Sequence, residues 1–474
     1  MNPQHTPSTA LLPHWQQLIA PARASCRQER TWQRLLVASC GLLSALGRHT
    51  LAQIITTIGS GDDDWSPWYR LFNAERVDWE TAQQHLLAAV VAAVPVAAPL
   101  TVALDATHLP RTSRRMAGVG WAPQPRTPVW QRGIHLAHRW AGLSVLLPRS
   151  AEGDSRALPL RFLPALTPRA TPLMGHRPLR EWEAAVQQLW WLRRQLDGQG
   201  QAQRAILAVG DAAYASAQLR RQLPPRTVLL CRCQRNRALW ALPAAQPARG
   251  RKRSYGERLP PPHAYVQAGI GFRCVPIRVR GRRIRLRVRV VGPVLIRPAA
   301  ARPLYLLVVR GFNPHQPGRQ RHREATYLLV DAAADGAGGW RLPFPLAELL
   351  TVAWQRWEVE VMHRELKSGF GLGQQQQWSP AGLVSVVQWL CWLYATLLLA
   401  AYRTWGYQPP GPHRLGCWWQ PRRWSLAMLW QALRREVWQL AEFLPVWARS
   451  PDTWGEIAAW FAAPDNPLGG YRRI

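Results

Sequence analysis

The pattern of apolar and polar positions changes along the chain and predicts several kinds of structure. Apolar residues recur at helical spacing in the first hundred residues, and short apolar runs then alternate with helical segments, as in an α/β core. From about Pro243 the pattern becomes strictly alternating, which is typical of strands, and helical periodicity returns near residue 341. The predicted regions are a helical N-terminal region at 1–98, an α/β core in two parts at 99–240 and 341–405, a β-rich basic insertion at 241–340, and a helical C-terminal region at 406–474.

The periodicity places individual elements within these regions. The predicted N-terminal helices are Trp32–Leu46, Leu51–Ile58, Trp65–Phe72 and Trp79–Val94. The predicted strands of the core are Leu100–Leu104, Ala205–Val209, Thr227–Cys231 and a hairpin over Ile134–Leu147 that turns near Gly142. The N-terminal region has two interpretations, DNA binding and plain packing, because no helix-turn-helix spacing decides between them.

One predicted strand of the insertion, Ile284–Val291, has a fully cationic face. Arginines at 283, 285, 287 and 289 alternate with apolar residues, so one face of the strand is apolar and the other is basic. Two interpretations are open: a track for phosphates, which we favour, or an ordinary solvated strand face in an arginine-rich chain.

The segment Val352–Phe370 is predicted to form one amphipathic helix. Its apolar stripe consists of Val352, Val359, Met362, Leu366 and Phe370. A neighbouring face carries Arg356, Glu360, His363 and Lys367. Glu358 and Glu365 lie on another face, where we expect ordinary solvation. The simpler interpretation is a surface helix stabilised slightly by pairs such as Arg356–Glu360.

The formal charge of +33 indicates a polyanionic partner, most simply a nucleic acid. The chain contains only two lysines, so a lysine at position 367 indicates a site where a compact ammonium group is required. The seven cysteines are odd in number and scattered, which favours reduced thiols in a cytoplasmic protein. Leu383–Tyr402 is apolar enough to span a membrane, but it is single and contains polar residues, so we interpret it as a buried helix and expect no membrane association.

Three carboxylates stand out by position. Asp105 and Asp211 each follow a predicted buried strand, and Glu360 lies on the later helix. Each aspartate alone is better explained as a turn or cap residue. Together the three supply the hard oxygen ligands that two Mg²⁺ ions, or Mn²⁺ as a substitute, need in order to clamp a phosphodiester.

These residues carry a resemblance to a known family. The order VALDAT at Asp105, AVGDAAY at Asp211, and then Arg356-x3-Glu360-x6-Lys367 resembles the DDE transposases of bacterial insertion sequences. The resemblance is closest to insertion-sequence family four, spans about residues 100–405, and is most specific in the Arg-Glu-Lys spacing. The tyrosine that opens the third motif of that family is Ala353 here.

The resemblance implies an RNase H-like catalytic core and metal-dependent cleavage and strand transfer at transposon ends. Asp105, Asp211 and Glu360 would be the catalytic metal ligands. The DNA-binding residues would be Arg356, Lys367, Arg232 and Arg235. The implied partners are double-stranded transposon-end and target DNA, bound by a homodimer at the bacterial nucleoid. The alternative is a catalytically inactive or domesticated DNA-binding descendant of such a transposase.

Overall fold

The computed structural model describes most of the chain. The described residues are 10–124, 133–147, 155–244, 252–279, 282–299, 301–310, 325–406 and 423–438. Most of the predicted C-terminal region, including everything after residue 438, lies outside them.

Helices form the two ends of the described chain and alternate with strands between them. The first helices are α1 (Leu11–Ile19), α2 (Glu29–Ser44), α3 (Leu51–Thr57), α4 (Ser66–Asn73) and α5 (Trp79–Ala92). The later helices are α6 (Glu181–Gly198), α7 (Ala217–Arg221), α8 (Pro262–Ala268), α9 (Leu346–Gln355), α10 (Trp357–Ser368), α11 (Pro380–Trp405) and α12 (Leu426–Trp438). Short 3₁₀ helices occupy Ala20–Ser25 and Ala212–Tyr214.

The strands begin immediately after the N-terminal helices. The strands of the first half are β1 (Leu100–Pro110), β2 (Gly120–Pro123), β3 (Ile134–Leu147), β4 (Arg156–Pro164), β5 (Ile206–Gly210) and β6 (Thr227–Arg232). The strands of the second half are β7 (Leu239–Ala241), β8 (Arg258–Leu259), β9 (Arg273–Val279), β10 (Arg282–Leu295), β11 (Leu304–Arg310), β12 (Thr326–Asp331), β13 (Ala333–Ala334) and β14 (Trp340–Arg341).

Twelve of these strands form one mixed sheet in the described part of the chain, so the fold is α/β. Strands β4, β3 and β1 are antiparallel neighbours, and β5 and β6 follow parallel to β1. Strand β12 then pairs antiparallel with β6 and leads on to β11 and β10. The strands predicted for the insertion therefore extend the same sheet.

The hairpin predicted over Ile134–Leu147 is wrong, because these residues form the single long strand β3. Gly142 does not turn the chain. It lies opposite Asp105 on β1 and Phe162 on β4, and a Cβ atom at this position would come within 3.0 Å of the Phe162 ring. The glycine therefore makes room for a neighbouring aromatic side chain within the sheet.

Helix α11 is the buried centre of the helical layer. It packs against β4 on one side and against α1, α4 and α5 on another, so the N-terminal helices share the main hydrophobic core. Side-chain hydrogen bonds connect these layers: Trp15 to Thr396, Trp79 to Ser385, and Trp389 to Ser39. The predicted helix pattern of the N-terminal region is confirmed, while its role in DNA binding stays a prediction.

Among the described helices, α11 is long and apolar enough to cross a membrane by length and composition alone. Its most apolar stretch is 94% buried within the protein. Packing in the core therefore accounts for its apolar composition, as the sequence predicted for a buried helix.

The alternation predicted for β10 is confirmed. Arg283, Arg285 and Arg287 are exposed, whereas Leu286 and Val288 are buried. The strand register extends the basic face sideways, because Arg278 of β9 lies opposite Arg283 and Arg310 of β11 lies opposite Arg287. Arg289 differs: its guanidinium stacks on Tyr265 and donates to the Ile270 carbonyl oxygen at 3.0 Å.

A buried ion pair connects the two halves of the sheet. Arg220 on α7 is fully buried and donates to Asp331 at the end of β12 at 2.5 Å, while Asp331 also accepts the Leu229 backbone N–H of β6 at 2.6 Å. Arg220 donates further hydrogen bonds to the carbonyl oxygens of Leu229 and Leu329. The pair therefore joins a helix to two adjacent strands.

We expect Asp331→Ala to lower the free energy of unfolding by about 3–5 kcal/mol, because it leaves the Arg220 charge buried without its partner. Urea unfolding followed by circular dichroism measures this change. The control is Glu29→Gln, which removes the partner of Arg23 from an exposed pair and should cost less than about 1 kcal/mol. Equal effects of the two substitutions would contradict the importance of the buried pair.

Candidate functional site

The segment Val352–Phe370 is folded as two helices rather than the predicted single helix. Helix α9 ends at Gln355 and α10 begins at Trp357, with Arg356 between them. The interruption arises because the Val359 N–H bonds to the Arg356 carbonyl three residues back, as in a tighter turn, while Arg356 itself keeps helical backbone angles. The predicted apolar stripe is confirmed, since all of its members are buried.

Asp105 and Asp211 lie level with each other on adjacent strands. The parallel pairing of β1 with β5 ends at Ala103 and Val209, and each aspartate stands two residues beyond. The prediction that β1 ends at Asp105 is wrong, because β1 continues to Pro110 through its pairing with β3. Asp211 does end its strand, and its side chain caps the following 3₁₀ helix by accepting the Ala213 N–H at 2.8 Å.

The buried guanidinium of Arg356 lies between two of the carboxylates. It donates to Glu360 Oε1 at 2.8 Å, and its other nitrogen is 3.9 Å from Asp105 Oδ2. His363 Nδ1 is 3.8 Å from the same aspartate oxygen. Helix α10 packs against β4 and β1, which brings Glu360 to the edge where β1 and β5 separate.

The three carboxylates share one electrostatic environment. Burial raises the pKa of Asp105 to about 7. The Arg356 charge opposes this rise in pKa, while the charges of Asp211 and Glu360 add to it. The fold thus places the charges of Asp211 and Glu360 near the partly buried Asp105, and the guanidinium of Arg356 offsets part of this negative charge.

The chemistry of this donor set fits a hard divalent cation. Carboxylate oxygens are the preferred ligands of Mg²⁺, and a cation would relieve the burial and repulsion that raise the pKa of Asp105. The ligand atoms are not preassembled: among the described residues, no three His, Cys, Asp or Glu side chains are close enough together to hold a metal ion.

The predicted basic residues take different positions. Arg232, at the end of β6, interacts electrostatically with Arg356, Glu360 and Asp211 and therefore belongs to this site. Lys367 lies near the end of α10, where its charge acts on His108, His135 and His363. Arg235 is exposed in the loop after β6, and its carbonyl oxygen accepts hydrogen bonds from His263 on α8.

The histidines around the site are neutral at physiological pH. Burial, with the nearby charges of Lys367 and Arg356, lowers the pKa of His363 to about 3. Burial likewise lowers the pKa of His108 to about 4, and its Nδ1 lies 3.3 Å from His135 Nε2. These side chains add polar atoms to the site without adding positive charge.

The solvation predicted for Glu358 and Glu365 is wrong. Glu358 is buried with Arg423 at 3.5 Å. Glu365 accepts from Arg156 at 3.0 Å and from the Tyr394 hydroxyl at 2.6 Å. Both carboxylates are neutralised by residues distant in the sequence, so helical periodicity alone gave no indication of their environment.

Three residues beside the aspartates are not predicted from the sequence: Glu181, Arg139 and Tyr214. Glu181, the first residue of α6, interacts electrostatically with Asp211 and pairs with Arg139 at 3.4 Å. Tyr214 is buried, and its hydroxyl lies in the field of Asp105, Glu181 and Asp211. The AVGDAAY motif contains Tyr214, but its local sequence carries no signal that the ring faces the carboxylates.

We expect Asp105→Asn to make the metal-free protein more stable than wild type at pH 8. The pKa of Asp105 is about 7 in the folded protein against an ordinary value of 3.8, so the folded state holds a proton that the unfolded state lacks between these values. The free energy of unfolding therefore falls as pH rises through this window, by roughly 1.4 kcal/mol per pH unit. The Asp105→Asn variant does not show this fall, because asparagine does not titrate.

Urea unfolding in EDTA between pH 4.5 and pH 8 measures the difference between the two proteins. The advantage of Asp105→Asn should grow with pH up to about 7. The matched control is Asp63→Asn at an exposed position, which should follow the wild-type profile. Parallel profiles for wild type and Asp105→Asn would contradict the raised pKa.

Comparison with known proteins now identifies the family. A family model described as DDE superfamily endonuclease matches residues 22–289, more than half of the chain. The match includes β1 and β5 with both aspartates and ends within β10, before Glu360. No curated protein matches the chain. The chain therefore belongs to the DDE superfamily of endonucleases, which makes it a transposase-like nuclease.

Proposed function

We propose that the protein is a DNA transposase of the insertion-sequence family four type. It binds transposon ends and catalyses metal-dependent DNA cleavage and strand transfer through Asp105, Asp211 and Glu360. One observation carries this proposal: Asp105 and Asp211 lie level with each other at adjacent strands, and the Arg356 guanidinium lies between Asp105 and Glu360 of α10. Family membership implies DNA as the substrate.

The catalytic core in this proposal is RNase H-like and is built from the β4-β3-β1-β5-β6 half of the sheet with α10 and α11. Asp105 and Asp211 stand on its two central neighbouring strands. Strands β8 to β12 belong to the basic insertion, which reaches the core through the pairing of β12 with β6. After the insertion, the chain returns to the core through α9 and α10, and α10 carries Glu360 to the site.

Nucleases of this superfamily generally use divalent metals, and we propose two Mg²⁺ ions, with Mn²⁺ as a possible substitute. Asp105, Asp211 and Glu360 are the residues that would hold them. When bound, such ions supply charge stabilisation to the attacking and leaving oxygens of a phosphodiester.

The side chains of the protein position the DNA. Arg356 is buried beside Asp105 and Glu360, where its planar guanidinium can hold a phosphate next to the carboxylates. Arg232 adds a second cation near Asp211 and Glu360. Lys367, one turn after His363, and Arg235, in the loop after β6, bind flanking phosphates. His108 and His363 stay neutral because of their lowered pKa values and add no positive charge beside the DNA.

A homodimer on paired transposon ends, located in the bacterial cytoplasm at the nucleoid, completes the proposal. The formal charge of +33 supports association with DNA.

A non-catalytic DNA-binding descendant is the second candidate. Two observations favour it: Ala353 occupies the position of the motif tyrosine, and the carboxylates of the described residues are not preassembled around a metal position. Cleavage assays separate the two candidates.

We expect Asp105→Asn and Glu360→Gln each to reduce Mg²⁺-dependent nicking by a factor on the order of 10³, because each removes a metal ligand while the basic residues stay in place. The substrate is a supercoiled plasmid carrying the DNA that flanks the coding region. Gel mobility shifts should show that DNA binding is retained.

The control for these variants is Glu257→Gln, which removes an exposed carboxylate elsewhere and should nick at the wild-type rate. Wild-type protein that binds this DNA but never cuts it with Mg²⁺ or Mn²⁺ would favour the inactive descendant. Full activity of both carboxylate variants would exclude the proposed triad.

The basic face of β10 generates another prediction. The triple variant Arg283→Gln, Arg285→Gln, Arg287→Gln should weaken DNA binding and flatten its salt dependence. Each phosphate that the protein no longer neutralises reduces the slope of log K against log salt concentration by about 0.9. Fluorescence anisotropy with a labelled duplex at several salt concentrations measures both quantities.

The matched control removes the same charge from other exposed positions: Arg169→Gln, Arg177→Gln, Arg221→Gln. This variant should keep the wild-type slope. If both triple variants lose affinity and slope equally, the face of β10 acts only through net charge and is not a phosphate track.

A further inference from the structure

The Tyr214 hydroxyl is a buried donor without an acceptor. The residue is 1% exposed, and within the described chain its hydroxyl oxygen makes no hydrogen bond. A buried polar group left in this state costs about 1–3 kcal/mol. The fold keeps this cost beside Asp105 and Asp211, where a change in the site could provide an acceptor.

The backbone fixes the tyrosine in this position. Tyr214 ends the 3₁₀ helix that Asp211 caps, and its N–H bonds to the Asp211 carbonyl oxygen at 3.3 Å. The ring folds back over Gly210 at the end of β5, where a Cβ atom would lie 2.9 Å from Tyr214 Cβ and 3.0 Å from the ring. The glycine and the cap together hold the ring against the end of the strand.

Because β5 pairs with β1, the ring at the end of β5 lies near Asp105, whose charge acts on the Tyr214 hydroxyl together with those of Glu181 and Asp211. Burial and these charges raise the pKa of Tyr214 well above its usual value, so the hydroxyl keeps its proton. Next to carboxylates it can therefore act only as a donor.

Asp105 has room for such a donor. One of its oxygens accepts the Ala106 N–H at 3.0 Å, while Arg356 and His363 stay 3.9 Å and 3.8 Å from the other. Among the described residues, the site thus holds a partly buried acceptor with one short hydrogen bond and a buried donor with none. The pairing of β5 with β1 brings the two groups to the same edge of the sheet.

We propose that Tyr214 is a positioning residue, whose hydroxyl donates a hydrogen bond to Asp105 when a divalent cation is bound by the carboxylates. The hydrogen bond orients the carboxylate for the cation and is absent from the metal-free protein. This inference rests on the proposed function, because it requires that Asp105 binds a cation.

The inference requires Tyr214→Phe to act with opposite signs in two states. Without cation, the substitution removes only an unsatisfied hydroxyl, so the melting temperature should equal or exceed that of wild type. With cation, it removes a hydrogen bond to a charged group, so Mg²⁺ and Mn²⁺ should bind about tenfold more weakly. A tyrosine that only fills the core would not produce this reversal.

The experiment uses the full chain without DNA. Melting temperatures are measured in EDTA and during a Mg²⁺ titration, whose midpoint gives the affinity, and Mn²⁺ binding is measured directly by isothermal calorimetry. The matched control is Tyr394→Phe, since Tyr394 is equally buried but already donates to Glu365 at 2.6 Å. That variant should melt at a lower temperature in EDTA and keep the wild-type affinity for the cations.

The outcomes distinguish this inference from the proposed function. Unchanged cation affinity in Tyr214→Phe, while wild type binds and Asp105→Asn does not, overturns the role of Tyr214 alone. A lower melting temperature of Tyr214→Phe in EDTA also overturns it, because the hydroxyl would then be bonded in the metal-free protein. Absence of any cation binding by wild type overturns the proposed function and the inference together.

Discussion

The partial burial of Asp105 at the edge where β1 and β5 separate is the constraint on which the site depends. The sheet and α10 shield Asp105 from most of the solvent, which raises its pKa, and the charges of Asp211 and Glu360 add to this rise. In the described structure, the Arg356 guanidinium lies 3.9 Å from the Asp105 carboxylate and 2.8 Å from the Glu360 carboxylate. The site is therefore short of positive charge, which a metal ion or a bound proton can supply.

The scaffold holds these charges in place through contacts far from them. Helix α11 is almost completely buried between β4 and the N-terminal helices, and α10 rests on the same strand. The Glu365 carboxylate fixes α10 through Arg156 and Tyr394, so one acidic residue of this helix is neutralised structurally. Glu360, one and a half turns earlier, is free of that network and contacts Arg356 instead. The helix thus separates a structural carboxylate from the one that we assign to catalysis.

Local stability and function oppose each other at this edge of the sheet. A carboxylate with a raised pKa and a buried hydroxyl without an acceptor both reduce the stability of the free protein. Between β6 and β12, by contrast, the buried Arg220 charge is paired with Asp331. At this edge the unsatisfied Tyr214 hydroxyl and the raised pKa of Asp105 occur together, which is consistent with a site completed by a ligand.

The sequence alone determined what depends on local periodicity. It predicted the N-terminal helices, the strands β5 and β6, the alternating faces of β10 and the buried stripe below Glu360, because burial of an apolar face follows directly from helical or strand spacing. It also singled out Asp105, Asp211, Glu360 and Arg356 by position and spacing. Contacts between distant segments decided the rest. Gly142 lies within a strand because Phe162 packs against it, and Glu358 and Glu365 are neutralised because Arg423 and Arg156 reach them. Tyr214 lies near Asp105 because β5, whose end its ring covers, pairs with β1. None of these contacts is encoded by nearby residues, so only the tertiary structure could reveal them.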